Sequence, residues 1–315
     1  MIIQRKRFAA IDIGTNSFHL LIVEVNENGK IKFLDKERVF FRLGAEFGKE
    51  LRLISNNEID KTVIILKNFL SRVKHYKADL RAVSTSAVRE AENKLEFIKT
   101  VFEQTGISID VIIGTEEANL IFLGMKNALP INDKSILGID IGGGSTEFIY
   151  GVNGVPIFTE SVNIGAVRLS KKFFPDFIIT NEAVLDCFNY VEQQIKLNTN
   201  INTNLVIDFA VGSSGTVDTI CLIKELKNYP KTKPRLNGYT FNKTEFEEIF
   251  SFVMDLKNPA DRASVPGIEA NRADIIPAGL IILKKIFELF NIEKMVLSEY
   301  ALREGIVFDL ISRSN

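Results

Sequence analysis

The chain has 315 residues, 46% hydrophobic and 25% charged, which is a normal composition for a globular protein long enough for two domains. Its 39 Lys and Arg balance 40 Asp and Glu, so it lacks the basic excess of many nucleic-acid-binding proteins, and we expect no nucleic-acid partner. The apolar run over 275–283 contains Pro277 and is far too short to span a bilayer. We therefore expect no membrane partner and a cytoplasmic protein.

The cysteine and histidine content limits redox and metal chemistry. The chain has two cysteines, Cys187 and Cys221, and two histidines. Since the cysteines are far apart and both lie in stretches that look helical, we expect buried free thiols rather than a disulfide. The same counts argue against a structural zinc site.

The first part of the chain is predicted to form three strands followed by alternating helices and strands. Apolar residues at 63, 66, 70 and 73 have the spacing of an amphipathic helix, and Pro130 is a typical helix stop. The patterns predict strands over 8–13, 19–25 and 31–41, a helix over 58–77, a strand over 81–84, a helix around 95–102, a strand over 107–113 and a helix over 116–129.

After Pro130 the pattern starts again. It predicts strands over 135–141, 146–152 and 155–164, helices around 182–197, 214–226, 244–256 and 272–290, a strand over 295–298 and a helix over 299–312. The same order occurring twice predicts a duplicated α/β domain with a cleft between the halves. Ligands of such sheets bind beyond the carboxyl ends of the strands.

Glycine-rich segments follow three of the apolar runs. One reads Asp12-Ile-Gly-Thr-Asn-Ser17, and a second, Asp140-Ile-Gly-Gly-Gly-Ser-Thr-Glu147, begins 128 residues later. A third, Val211-Gly-Ser-Ser-Gly-Thr216, follows the run over 205–209. Glycine lets backbone N–H groups approach an anion, hydroxyls add donors, and an aspartate can hold a divalent cation. Each segment alone could be an ordinary tight turn, but the repetition favours a phosphate site.

Two further features could supply catalysis. Glu116 and Glu117 lie where a strand turns into a helix, so one carboxylate could act as a general base on water while the other caps the helix or faces solvent. Acidic residues are equally typical of a helix N-terminus, which the dipole favours. Arg89 follows a Ser/Thr-rich strand end and has the planar fork that suits a phosphoryl group, although a surface salt bridge also explains it.

Three other residues are weaker candidates. Arg168 and Arg272 could also bind a phosphoryl group, as proposed for Arg89, but the sequence around them is less specific. His19 lies two residues beyond Ser17, and we expect it to make a polar contact or to pack rather than to act as a base.

Taken together, these segments resemble the Ppx/GppA phosphatases, the exopolyphosphatase and guanosine pentaphosphate phosphohydrolase group of the actin-like ATPase superfamily. The resemblance covers nearly the whole chain. Besides the three glycine segments it includes Thr85-Ser-Ala-Val-Arg-Glu-Ala91, Gly114-Thr-Glu-Glu-Ala118, Arg272-Ala-Asp274 with Gly279, and Leu302-Arg-Glu-Gly305. It implies an α/β protein of two actin-like (ribonuclease H-like) domains with an interdomain cleft, in the short two-domain form.

The resemblance also implies domain boundaries. The C-terminal helix is expected to return to the first domain, which gives a first domain of residues 1–127 plus 297–315 and a second domain of residues 128–296. A homodimer is also expected.

The roles of the site residues are implied by the resemblance, residue by residue. Glu117 is expected as the catalytic base with Arg89 beside it, and Asp140 with Glu147 as the site for Mg²⁺, with Mn²⁺ as a substitute. The expected phosphate contacts are Asp12, Gly14, Thr15, Asn16, Ser17, Gly142, Gly143, Gly144, Ser145, Thr146, Gly212, Ser213, Ser214, Gly215 and Thr216. The family usually has Arg after Glu-Glu-Ala, whereas this chain has Asn119, so one cation is missing.

The implied function is an exopolyphosphatase that releases terminal orthophosphate from inorganic polyphosphate by metal-assisted hydrolysis. The alternatives are a guanosine pentaphosphate (pppGpp) 5'-phosphohydrolase and a non-catalytic alarmone-binding sensor. A kinase of the sugar or acetate type shares the duplicated fold, but the Glu-Glu-Ala segment and the lack of a sugar-binding insertion argue against it.

Overall fold

The computed structural model describes residues 6–44, 52–201, 205–229 and 235–314. The chain divides into two compact units, with the divisions at residues 124/125 and 301/302. The first and last segments form unit 1, and the middle segment forms unit 2. In the part of the chain that the structure describes, no helix is long and apolar enough to cross a membrane.

The helices and strands follow one another along the chain in two groups. The first group is β1 (Lys6–Ile13), β2 (Ser17–Val25), β3 (Ile31–Phe40), α1 (Asn56–Tyr76), β4 (Asp79–Ser84), α2 (Ser86–Glu90), α3 (Lys94–Thr105), β5 (Ile109–Val111) and α4 (Gly114–Ala128). The second group is β6 (Ser135–Ile141), β7 (Thr146–Val152), β8 (Val155–Val162), α5 (Ala166–Phe173), α6 (Asn181–Asn198), β9 (Phe209–Ser213), α7 (Gly215–Asn228), β10 (Thr240–Asn242), α8 (Lys243–Asp255), α9 (Pro259–Ala263), a 3-10 turn (Ala270–Arg272), α10 (Ile276–Leu289), β11 (Lys294–Leu297) and α11 (Leu302–Arg313).

Each unit is built on one sheet, and the two sheets share a five-stranded topology, to which unit 2 adds β10 as an antiparallel edge strand. The strand order is β3-β2-β1-β4-β5 in unit 1 and β8-β7-β6-β9-β11-β10 in unit 2. In each, an antiparallel hairpin leads into strands that run parallel to its first strand. The predicted duplicated α/β fold is confirmed at the level of the sheets.

Helices cover these sheets through apolar faces. In unit 1, α1 begins at a capping box in which Ser55 and Glu58 satisfy each other's backbone N–H groups, and Leu66 and Phe69 of this helix are fully buried. In unit 2, α10 is buried along almost its whole length and lies within the core. Both sheets therefore have a core that holds the carboxyl ends of their parallel strands in place.

The structure corrects several boundaries. The third glycine segment is not wholly a loop, because β9 includes Gly212 and Ser213, and the residues described at 205–207 precede the strand. The predicted helix over 272–290 begins at Ile276, and the strand over 107–113 covers only Ile109–Val111. The sequence patterns missed α5, which has only eight residues, and the shorter elements α2, α9 and β10. Cys187 and Cys221 are free and buried.

Candidate active site

The two glycine-rich hairpins make the same turn. Gly14 N–H donates to the Ser17 carbonyl at 3.2 Å, and Gly142 N–H donates to the Ser145 carbonyl at 2.9 Å. A Cβ on either glycine would lie within 3.0 or 3.1 Å of that carbonyl oxygen, closer than real Cβ contacts normally come. The turns therefore favour glycine, because any Cβ would have to displace this carbonyl by a few tenths of an ångström.

Helix α5 fixes the turn of the β6–β7 hairpin. The Gly142 carbonyl accepts from Ala166 N–H at 2.9 Å, and the Gly143 carbonyl accepts from the N–H groups of Val167 and Arg168. Arg168 Nε donates to the next carbonyl of the turn, that of residue 144, at 2.8 Å. The first N–H groups of α5, which have no partner within the helix, are thus satisfied by consecutive carbonyls of the turn.

This anchoring determines where the turn's N–H groups point. In a planar trans peptide the carbonyl of one residue and the N–H of the next point in opposite directions. The N–H groups of Gly143, Gly144 and Ser145 therefore point away from α5, and within the described ranges they donate no hydrogen bond. Such a row of free backbone donors can bind an anion.

The close packing of α5 depends on Gly165. A Cβ at this position would lie 2.4 Å from the Gly143 carbonyl oxygen and 2.5 Å from the carbonyl carbon of Gly144. Any side chain at residue 165 would push α5 away from the turn.

Two carboxylates occupy paired positions of the same hairpin. Asp140 and Glu147 are register partners in β6 and β7, so their side chains lie on one face of the sheet. Glu147 is buried and accepts from Ser161 Oγ at 2.7 Å, and Asp140 accepts from Ser213 Oγ of β9. Burial raises the pKa of Asp140 to about 6, although the Ser213 hydrogen bond and the charge of Arg272 act to lower it.

The donor chemistry of this pair fits a hard cation. Mg²⁺ is typically held by one or two carboxylates, with waters and substrate phosphate completing its shell. Among the described residues no three His, Cys, Asp or Glu side chains come together as a metal-binding group. A metal at Asp140 and Glu147 would therefore take its remaining ligands from water and substrate.

The turn after β9 is strained. Ser214 has φ +96°, a conformation that non-glycine residues rarely adopt, and its Oγ is buried with no hydrogen-bond partner in the described part of the chain. The Arg272 guanidinium lies directly over Gly215, where a Cβ would be 1.9 Å from its Cζ. Arg272, a weak candidate from the sequence, is thus brought to this turn.

Two predicted phosphate residues have side chains engaged elsewhere in unit 2. The Thr146 hydroxyl donates to the Ile164 carbonyl, so its proton is already used. The Thr216 hydroxyl lies against α10, where a Cβ on Gly279 would be 2.4 Å from its Oγ1. At Thr146, therefore, the backbone is the group left to donate to a ligand.

In unit 1 the two predicted catalytic residues contact each other. Arg89 Nη1 donates to Glu117 Oε2 at 2.9 Å and to the Ile112 carbonyl at 3.1 Å. Glu117 is only 6% exposed. Arg89 Nε and Nη2 have no hydrogen-bond partner within the described ranges, so the guanidinium can hold Glu117 and still donate to another oxyanion.

The adjacent carboxylate has a different environment. Glu116 is half-exposed and binds the buried Arg81 at 2.9 Å, and Arg81 also binds Asp110 and Asp309. Because neighbouring helical residues point about 100° apart, the two glutamates face different surroundings. Glu116 stabilises an ion-pair network, whereas Glu117 faces Arg89.

The side chains of the β1–β2 turn have different surroundings. Asn16 Oδ1 accepts from Arg42 Nε at 3.2 Å, and Thr15 Oγ1 is buried with no partner in the described part of the chain. Asn119, which replaces the usual arginine, donates to the Thr115 carbonyl of its own helix at 2.8 Å and is exposed. Arg42 and Arg303, a neighbour of His19, were missed by the sequence patterns because both are distant along the chain from the turn.

Known proteins are similar to this chain over nearly its whole length. A sequence model described as the Ppx/GppA phosphatase family matches residues 21–314. The chain is 30% identical to a protein of Photobacterium profundum named guanosine-5'-triphosphate,3'-diphosphate pyrophosphatase, covering 97% of this chain and 59% of that protein. It is 27% identical to exopolyphosphatase 1 of Mycobacterium tuberculosis, covering 96% of this chain and 87% of that protein.

A solved structure has the same fold. The crystal structure of an exopolyphosphatase from Cytophaga hutchinsonii aligns with a TM-score of 0.88 at 28% identity, covering 98% of each chain.

Proposed function

The chain belongs to the Ppx/GppA phosphatase family, and from this premise we propose that it is an exopolyphosphatase. It would release terminal orthophosphate from inorganic polyphosphate by hydrolysing phosphoanhydride bonds. The relative in Mycobacterium tuberculosis that carries the name exopolyphosphatase 1 is matched over most of its length, which supports this choice of substrate class.

The observation that carries the proposal is the anchored turn of the β6–β7 hairpin. With its carbonyls bound by α5, the N–H groups of Gly143, Gly144 and Ser145 are arranged before any ligand arrives. Donors that need no rearrangement stabilise developing charge on a phosphoryl group more effectively than mobile ones. The strained Ser214 turn and Arg272 add a hydroxyl and a cation in the same unit.

We assign the handling of water to Glu117. Its carboxylate can orient or deprotonate an attacking water, while Arg89 fixes it through Nη1 and offers its remaining N–H groups to a phosphoryl oxygen. The buried position of Glu117 limits the number of rotamers it can adopt. Asp140 and Glu147 would hold Mg²⁺, which when bound would neutralise phosphate charge and polarise the bond to be broken.

The second candidate is a pppGpp 5'-phosphohydrolase. It is favoured by the 30% identity to the Photobacterium profundum protein, although this chain spans only 59% of that relative. Both reactions break a terminal phosphoanhydride bond, so the same residues would serve either one.

One assay separates the candidates. Phosphate release is measured side by side from long polyphosphate, tripolyphosphate and pppGpp, with Mg²⁺ and with excess chelator. Faster release from long polyphosphate than from pppGpp supports the proposal, and the reverse order replaces it with the second candidate. Full activity in chelator would show that Asp140 and Glu147 do not hold a metal that hydrolysis needs.

The division into two domains, the homodimer and the cytoplasmic location stay predictions. Light scattering on the purified protein measures the oligomeric state directly.

A further inference from the structure

His19 lies beside the first glycine turn, on β2, opposite Asp12 in the register of the hairpin. Its Nε2 lies 2.8 Å from Ser17 Oγ, and its Nδ1 lies 3.2 Å from Arg303 Nη1. The ring therefore connects a buried serine of the turn with an arginine of α11, 284 residues further along the chain.

The chemistry of these partners determines where the protons are. A guanidinium has only donors, so Arg303 donates and His19 Nδ1 accepts. The neutral ring then carries its proton on Nε2 and donates it to Ser17 Oγ. Because that oxygen accepts from the ring, the Ser17 hydroxyl proton is left for a different acceptor.

Helix α11 places Arg303 within hydrogen-bond distance of His19 Nδ1. A Cβ on Gly305 would lie 1.8 Å from the Leu120 carbonyl oxygen, so this glycine allows α11 to approach α4 closely. Arg303 Nε donates at 2.6 Å to Glu304, which is only 3% exposed. The guanidinium is thus held from one side by Glu304 and directed to His19 on the other.

We propose that His19 is a positioning residue: held in its Nε2-protonated form by Arg303, it turns the Ser17 hydroxyl into a donor to a phosphoryl oxygen of the substrate. This inference rests on the proposed function, in which Ser17 belongs to a phosphate-binding turn. With the opposite tautomer, the Ser17 proton would be bound to the ring, and the turn would present an oxygen lone pair to an anion.

The first test reads the tautomer directly. Long-range ¹H–¹⁵N spectra distinguish protonated from unprotonated ring nitrogens, and the chain has only two histidines, so a His75→Gln variant assigns both. We expect His19 to carry its proton on Nε2 in the protein without ligand. A proton on Nδ1, or on both nitrogens, near neutral pH would overturn the inference.

The second test uses two isosteres of the ring. In His19→Gln the amide reaches the place of Nε2 and can still donate to Ser17, whereas in His19→Asn it reaches only the place of Nδ1. The dissociation constant of tripolyphosphate is measured by calorimetry in a Glu117→Gln background, which slows turnover. We expect His19→Asn to weaken binding about 3–10-fold, the usual contribution of one hydrogen bond, and His19→Gln to restore most of it.

A double-mutant cycle with Ser17→Ala excludes a purely structural effect. Since His19 acts through Ser17, His19→Asn should change binding little once the hydroxyl is absent. An equal loss in both backgrounds, or equal losses for Gln and Asn at residue 19, would contradict the inference. If the wild type hydrolyses none of the three substrates, the proposed function fails separately, because these spectra and binding constants need no turnover.

Discussion

The β1–β2 and β6–β7 hairpins make the same backbone turn but present different atoms at it. In both turns backbone N–H groups at the tip donate no hydrogen bond within the described ranges: those of Thr15 and Asn16 in unit 1, and those of Gly143, Gly144 and Ser145 in unit 2. The side chains differ, because the unit 1 turn carries hydroxyls and pairs Asp12 with His19, whereas the unit 2 turn carries glycines and pairs Asp140 with Glu147.

This difference gives the two units different candidate roles. In unit 2 Asp140 and Glu147 occupy paired positions of the hairpin, and these are the two carboxylates to which we assign Mg²⁺ in the proposed function. In unit 1 the residue paired with Asp12 is His19, and this unit also contains the Glu117–Arg89 pair. Variants in each unit test these assignments separately.

The largest effect is expected at Glu117. Glu117→Gln keeps a similar shape but removes the basic carboxylate, so kcat should fall roughly 10²–10⁴-fold, the range for losing a general base. Binding of polyphosphate should change little. The measurement is steady-state phosphate release.

Glu116→Gln is the matched control for this change. It weakens an ion pair with Arg81 and should lower stability while leaving kcat nearly unchanged. A larger loss of kcat in Glu116→Gln than in Glu117→Gln would mean that the base is assigned to the wrong residue.

Asp140→Asn tests the metal in unit 2 and should lower kcat roughly 10²–10³-fold, as for other losses of charge stabilisation. In metal-free protein the same change should stabilise the fold. Burial raises the pKa of Asp140 to about 6, so the contribution of the protonated side chain to wild-type stability is fully present below the ordinary pKa and is lost as pH rises through about 6.

The difference in free energy of unfolding between Asp140→Asn and wild type should reach about 2–3 kcal/mol at neutral pH and nearly vanish near pH 4. Denaturant titration in chelator measures it. A variant that is less stable than wild type at neutral pH would show that the charge of Asp140 is compensated without a metal.

Gly165→Ala tests whether α5 aligns the turn of unit 2. The added Cβ would displace α5 from the carbonyls of Gly143 and Gly144, and a shift of about 1 Å at such a site lowers turnover on the order of 10²-fold. Gly106→Ala, at φ +76° with open space around it, should cost stability by about 1 kcal/mol without a change in kcat. Equal losses of kcat in both variants would show that the packing of α5 against the turn has no specific role in turnover.

The smallest effect is expected at Thr15 in unit 1. Thr15→Val removes a buried hydroxyl that has no partner in the described part of the chain, so the free energy of unfolding should rise by about 1 kcal/mol. If this hydroxyl donates to phosphate, the KM for polyphosphate should rise about 3–10-fold. A stabilised variant with unchanged KM would leave phosphate binding in this turn to the backbone.

Sequence patterns predicted most of the strands and both hairpin turns, because these depend on local alternation and on glycine, but they missed the three-residue β10. They missed α5, whose eight residues carry a weak periodic signal and whose first N–H groups are satisfied by the carbonyls of a distant turn. They also predicted a loop at Gly212 and Ser213, which form the end of β9. The sequence alone does not distinguish a glycine in a buried strand from a glycine in a loop.

The sequence by itself determined the repeated turn, with Gly14 and Gly142 at equivalent places, because a tight backbone approach depends only on the residues within the turn. Only the tertiary structure decided the partners: which glutamate meets Arg89, what lies over Gly215 and which groups contact the two ring nitrogens of His19. These contacts join residues that are distant along the chain. The spacing of residues along the chain predicts local backbone conformation, whereas the positions of protons and charges depend on neighbours that the fold brings together.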